Sequence, residues 1–188
     1  MAAPLDGSEA LSGLLEAARS GDLAAFEILM RRHERLVLAT ALRLLGRMED
    51  AQDASQEVFL RLYRNLAKVA GTENLPGWLY RVTVNVCHDV RRRHPEVTLS
   101  GDLPEFVSTA ADPQQAAAEH ERRRALEMSL RLLSEKERAA LVLRDLEGLP
   151  TEEVAAILGT SQATVRSQIF KARIKMRDFV ERYFRRRV

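Results

Sequence analysis

The segment TEEVAAILGTSQATVRSQIFKAR, residues 151–173, restricts the fold more than any other part of the chain. Thr151 is a good N-cap, Glu152 and Glu153 fall in a first turn where carboxylates suit the helix dipole, and Val154, Ile157 and Leu158 recur at helical spacing. These features predict a short helix with one apolar face. Gly159 stops it, because glycine adopts the left-handed conformation many helix ends need, and Ser161 caps a second helix running through Lys175. In that helix Val165, Ile169, Ala172 and Met176 form one stripe, leaving Gln162, Arg166, Ser167, Phe170, Lys171 and Arg173 largely on other faces. Small Ala155 lets the two helices approach closely. The pattern is that of a helix-turn-helix whose second helix suits the major groove of DNA. Taken alone, it also fits an ordinary helical hairpin with a solvated charged side.

Just upstream, Ser134 and Glu137 have capping-box spacing and open a helix carrying Ala140, Leu141, Val142 and Leu143 that ends near Gly148. The whole string LSEKERAALVLRDLEGLPTEEVAAILGTSQATVRSQIFKAR resembles region 4 of the sigma-70 family of transcription initiation factors, and TVRSQIFKAR is similar to the compact extracytoplasmic-function group in particular. The resemblance implies that the second helix reads the −35 promoter element, with Gln162, Thr164, Arg166, Ser167, Phe170, Lys171 and Arg173 nearest bases or phosphates. Gln168 and Lys171 stand where arginine is common in the family, so the preferred base sequence is expected to differ.

Charge is informative through its distribution. The net charge of +2 would not by itself point to nucleic acid. Beyond Thr164, however, Arg166, Lys171, Arg173, Lys175, Arg177, Arg182 and Arg185 to Arg187 are opposed only by Asp178 and Glu181, whereas residues 49–57 are acidic. A basic end and an acidic central helix suit two kinds of partner. The first 22 residues lack the basic start and apolar core of a secretory signal, and no stretch is long and apolar enough to span a membrane. A lone cysteine, Cys87, forms no internal disulfide and fits a reducing interior. These features favour the cytoplasm. Cys87 reads either as a small hydrophobe or as a thiol sensor.

Leu11, Leu14, Leu15 and Ala18 suggest a short helix before Gly21. From Asp22 onward Phe26, Leu29, Met30, Val37, Ala41, Leu44 and Leu45 form a core stripe that ends at Gly46. In the next run, EDAQDASQEVFLRLYRNLAKV, Val58, Phe59, Leu62 and Leu66 face a core, while Asp50, Asp53, Gln56 and Glu57 offer a polar, mainly acidic face. GDLAAFEILMRRH followed by EDAQDASQEVFLRLY resembles region 2 of the same family. That resemblance implies that Asp50, Asp53, Gln56 and Glu57 dock on the clamp coiled coil of the RNA polymerase beta-prime subunit, with the beta subunit as a further contact. Ala54 and Ser55 replace larger family residues, which predicts looser packing there.

Residues 65–77 read as a loop, broken by Gly71, Pro76 and Gly77. The following WLYRVTVNVCHDVRRR alternates like a strand at Tyr80, Val82, Val84 and Val86, yet Trp78, Val82, Val86 and Val90 are also spaced four apart. WLYRVTVN resembles the promoter-melting segment of sigma factors, which decides for a helix. The resemblance places a base-capturing pocket between the loop and this helix. It assigns Val69, Tyr80 and Asn85 to its lining and Arg81, His88 and Arg92 to the DNA-facing side, with Trp78 in the core.

Residues 94–120 change character, with Pro95, Gly101, Pro104 and Pro113 among acidic Glu96, Asp102 and Glu105, and read as a linker. By resemblance the linker threads polymerase channels near the active centre, where its acidic residues mimic nucleic acid. The last domain is expected to open with an apolar stripe of Ala125, Leu126, Leu130 and Leu133. His33, His88, His94 and His120 are scattered, Cys87 has no CxxC partner, and no glycine-rich phosphate loop is present, so neither catalysis nor a metal or other cofactor is expected.

The expected fold is all-α: an N-terminal extension at 1–20, a region 2 domain at 21–94, a flexible linker at 95–118 and a region 4 domain with the helix-turn-helix at 119–188. The resemblance implies an initiation factor that carries core RNA polymerase to −35 and −10 promoter DNA. It is expected to be a monomer when free, with flexible interdomain geometry, and to be held inactive by an anti-sigma factor that covers both domains. The alternative is a stand-alone dimeric helix-turn-helix regulator, which would bind a symmetric site without polymerase.

Overall fold

Asp22 and Gly46 delimit the first long helix in the way their chemistry dictates. The Asp22 carboxylate accepts from the N–H groups of Ala24 and Ala25 at 2.9 and 3.1 Å, and Gly46, at φ 79°, closes the far end by donating to the Leu42 carbonyl. This helix, α2, spans Leu23–Leu45 and is preceded by α1, Gly7–Arg19. The computed structural model describes residues 7–69, 74–93 and 113–185, and all regular elements among them are helical. The N-terminal half continues with α3 (Met48–Arg64), the single turn α4 (Leu66–Val69) and α5 (Leu75–Arg93).

Helix α5 settles the strand-or-helix ambiguity and moves one boundary. Residues 65–77 were expected to be a loop, but they contain α4 and the first turn of α5. Pro76 and Gly77 read as breakers because both disfavour a helix interior, yet proline is well tolerated in a first turn. Asn74 supplies the cap: its Oδ1 accepts from the Gly77 N–H at 2.8 Å. A Cβ at position 77 would come within 2.7 Å of the Asn74 side chain, so glycine leaves room for that cap.

The N-terminal core gathers Leu15, Leu29, Val37, Leu45, Val58, Leu62, Leu75 and Leu79, all at or below 1% exposure. Ala54 and Ser55 are also buried, on the inward face of α3. Each fully buried leucine is worth about 2 kcal/mol, against roughly 0.2–1 for an exposed ion pair, and apolar burial therefore dominates.

The C-terminal half comprises α6 (Pro113–Arg131), α7 (Glu135–Leu141), a π-helical turn (Val142–Leu146), α8 (Thr151–Leu158) and α9 (Gln162–Arg185). Helix α6 begins well inside the expected linker, and its Leu126 is 42% exposed while Ala125, Leu130 and Leu133 are buried. The acidic linker residues Glu96, Asp102 and Glu105 lie outside the described residues. The Ser134/Glu137 capping box forms with both bonds, at 3.3 and 2.9 Å. Thr151 proves to be the first helical residue, following Pro150, with no side-chain cap. Helix α9 runs a further ten residues beyond Lys175, to Arg185, where Phe179 and Tyr183 rings pack 5.8 Å apart and the Tyr183 hydroxyl donates to Glu121 of α6 at 2.6 Å.

The two halves share their interiors. Ala139 and Val142 pack with the N-terminal core, while Tyr80 of α5 packs with Ala140, Leu143, Val154, Ile157, Val165 and Ile169. Arg138, only 1% exposed, ties them through main-chain oxygens, donating to Leu130 and Leu133 at 3.0 and 3.2 Å and to Leu44 of α2 at 2.9 Å. Burial, with Arg91 adding to it, lowers its pKa to about 10, which still leaves the guanidinium charged at neutral pH.

Candidate functional site

The helix-turn-helix is built from α8, a three-residue turn and α9. Gly159 takes φ 62°, and the Ser161 hydroxyl accepts from the Thr164 N–H at 3.1 Å, so the turn chemistry is as the residues predict. Val165, Ile169 and Ala172 are buried and Met176 is half-buried, which orients the rest of α9. Arg166, Ser167, Phe170 and Lys171 form the exposed outer face, with Phe170 67% exposed. Gln162 accepts from Arg166 at 3.0 Å and so steadies it. Two candidates stand apart from that face. Arg173 makes a bidentate pair with Asp145 at 2.8 and 2.9 Å, and Thr164 turns toward the other half of the molecule.

The α3 face is also open. Asp53 and Gln56 are exposed, while Glu57 is half-buried and accepts from Arg61 Nε at 2.7 Å. Asp50 is partly buried, one of its oxygens lacking a hydrogen-bond donor and lying 3.8 Å from Arg47 Nε. Leu60 and Tyr63, 50% and 48% exposed, extend the Asp53/Gln56 face by one more turn. They are not among the residues the sequence singles out, although Leu60 lies four residues beyond Gln56 and Tyr63 three beyond Leu60, the spacing of one helix face.

The candidates on and near α5 divide. Arg81, Asn85, His88 and Arg92 are exposed, but Val69 is buried in the N-terminal core and Tyr80 is only 6% exposed. The Tyr80 hydroxyl donates to Glu147 at 3.1 Å; burial first, then the nearby carboxylate, pushes its pKa well up. Asn85 and His88 line a cleft of about 490 Å³ whose opposite wall includes Thr164 and Gln168. Glu135 faces His88 and Arg91 across it at 3.3 and 3.6 Å. Glu147 was not singled out in the sequence, since a partner 67 residues away leaves no periodic trace. Burial pushes the Cys87 thiol up to about 12, with Arg91 offsetting only part of the shift, so the thiolate a sensor needs is scarce near neutral pH. Among the described residues no cluster of side chains could hold a metal and no helix is long and apolar enough to cross a membrane.

Family comparisons agree with this geometry. The Sigma-70 region 2 family model matches residues 29–95, and the Sigma-70, region 4 model matches residues 123–176. The chain is 37% identical over 172 residues to the ECF RNA polymerase sigma factor SigE of Mycolicibacterium smegmatis, covering 87% of this chain and 66% of that protein. It is 32% identical to the RNA polymerase sigma-H factor of Pseudomonas aeruginosa, covering 85% of this chain and 88% of the relative. The chain belongs to the sigma-70 family. It is a sigma factor of the extracytoplasmic-function group. The solved structure of CnrH in complex with the cytosolic domain of CnrY is similar too, at a TM-score of 0.64 and 27% identity, covering 90% of this sigma factor and 96% of CnrH.

Proposed function

We propose that this sigma factor grips core RNA polymerase through the α3 face, places the outer face of α9 on the −35 element and uses α5 to stabilise an opened −10 strand. The occurrence of both family regions in one chain, 29–95 and 123–176, carries this reading. Asp50, Asp53, Gln56 and Glu57, extended by exposed Leu60 and Tyr63, give the polymerase clamp an acidic and apolar surface. Arg166, Ser167, Phe170 and Lys171 supply groove and phosphate contacts, Gln162 positions Arg166, and a bidentate arginine contact to guanine is worth about 1–3 kcal/mol of discrimination.

Opening DNA without ATP demands more affinity for the unpaired state than for the duplex, since equal affinity shifts nothing. Capturing an extruded base supplies the difference at an unstacking cost of a few kcal/mol. Tyr80 offers an aromatic platform and Asn85 an amide, while Arg81, His88 and Arg92 meet the strand; Val69, buried in the N-terminal core apart from Tyr80, takes no part. Because Tyr80 is covered in the present arrangement, this role requires the halves to part. The role is binding rather than catalysis and belongs in the cytoplasm beside the polymerase. The free chain acts as a monomer, and an anti-sigma protein holds it inactive; that such a chain takes a protein partner is supported by the similar CnrH, which is solved in complex with the cytosolic domain of CnrY.

Transcription in vitro with purified core polymerase, this chain and a genomic DNA library tests the reading. New start sites should appear only when the chain is added. Their absence, with protection of a symmetric site by the chain alone, would replace the reading with a dimeric regulator.

A further inference from the structure

Glu147 follows the π turn and reaches across to α2 and α5. Its Oε1 accepts from Thr40 Oγ1 at 3.2 Å and from the Arg43 guanidinium, and its Oε2 accepts from the Tyr80 hydroxyl. The side chain is only 12% exposed. A carboxylate withdrawn this far from water needs such donors, and all three come from the other half of the chain. The contact has breadth as well. The Tyr80 ring packs into the C-terminal core, Val142 packs into the N-terminal one, Arg138 reaches the Leu44 carbonyl, and Asn74 donates to Glu153 of α8 at 3.0 Å.

We propose that Glu147 latches the C-terminal half over α5, holding the free sigma factor closed so that Tyr80 cannot receive a base, while the outer faces of α3 and α9 stay open. This inference rests on the reading of α5 as the strand-capturing segment. The closed form is built from this chain's own residues and needs no second protein. A ligand shifts a closed–open equilibrium only through its unequal affinity for the two forms. Polymerase can supply that inequality by engaging α3 and the C-terminal half at a separation the closed form does not span.

Small-angle scattering and tyrosine nitration of the full chain test the latch. Nitration is read by mass spectrometry, with exposed Tyr63 as the internal reference. The closed wild-type chain should show a radius of gyration near about 16 Å. With the open form at or below roughly 10%, Tyr80 should react about tenfold more slowly than Tyr63. Glu147→Arg sets like charges against each other at Arg43. The radius should then rise past about 20 Å as two domains of about 12 Å separate, and Tyr80 should react like Tyr63. The exchange Arg43→Glu/Glu147→Arg should restore both readings. A wild-type chain that already scatters as open, with Tyr80 unprotected, overturns the proposal regardless of how the variants fold. So does a Glu147→Arg chain that is folded by circular dichroism yet remains closed. These measurements use neither polymerase nor promoter, so their failure is distinguishable from failure of the transcription assay.

Discussion

Helices α5 and α9 carry the two proposed DNA-facing surfaces, but they divide their circumference differently. In α9 a buried stripe of Val165, Ile169 and Ala172 anchors the helix, and a separate face bearing Arg166, Ser167 and Phe170 is left to solvent. In α5 Leu79 and Val86 enter one core while Tyr80 enters the other, so a side chain proposed to bind DNA also holds the protein together. The difference separates function from stability along α9 and couples them along α5.

The largest expected effect sets two aromatic truncations against each other. Tyr80→Ala should cost about 3–5 kcal/mol of unfolding free energy by chemical denaturation, as truncation of a buried aromatic does. Phe170→Ala should stay within about 0.5 kcal/mol of the parent. Equal losses would mean that α5 and α9 do not differ in how they divide stability from DNA contact.

Within α9, two arginines should behave differently. Arg166→Ala should reduce −35-dependent transcription by roughly tenfold to a hundredfold, the equivalent of a bidentate base contact, while leaving polymerase binding unchanged. Arg173→Ala should reduce transcription less, because Arg173 is already committed to Asp145. It should also lower stability by about 1 kcal/mol or less, since the arginine is largely exposed. Similar transcription losses for both would return Arg173 to the DNA-reading face.

The smallest effect is a pH dependence confined to the C-terminal half. Burial pushes the Glu137 carboxyl up, but hydrogen bonds from Lys175 at 2.8 and 2.9 Å and from Ser134 outweigh it and hold the pKa below the ordinary value of 4.5. A depressed folded-state pKa stabilises above the unfolded value and is lost as pH falls through the folded one. Melting temperature should therefore hold between neutrality and about pH 5 and fall below about 4.5, with a shallower acid decline in Glu137→Gln. An equally steep decline in that variant would assign the acid sensitivity to other carboxylates.

The local features were legible in the sequence. Asp22, Gly46, Gly159, Ser161 and the Ser134/Glu137 box act where their chemistry predicts, and the α9 stripe is buried as its spacing requires. The features that were missed depend on distant partners. A basic residue such as Arg138 reads as solvated until three carbonyls are found around it, and the end of α9 depends on packing and a Glu121 hydrogen bond invisible to periodicity. The start of α5 was legible in principle, but Pro76 and Gly77 outweighed Asn74 in a reading that treats both as breakers. Among the site residues, the outer face of α9 and the Asp53/Gln56 face followed from helix geometry. The burial of Tyr80 did not, because it depends on how two halves meet.

Arg138 also bears on dissection of the protein into fragments. One of its three oxygens belongs to Leu44, so a polypeptide containing only the C-terminal helices would leave that guanidinium N–H to solvent and strip the cover from Val142. Properties measured on such a truncated piece would describe a rehydrated seam that the intact chain never presents while its halves are joined.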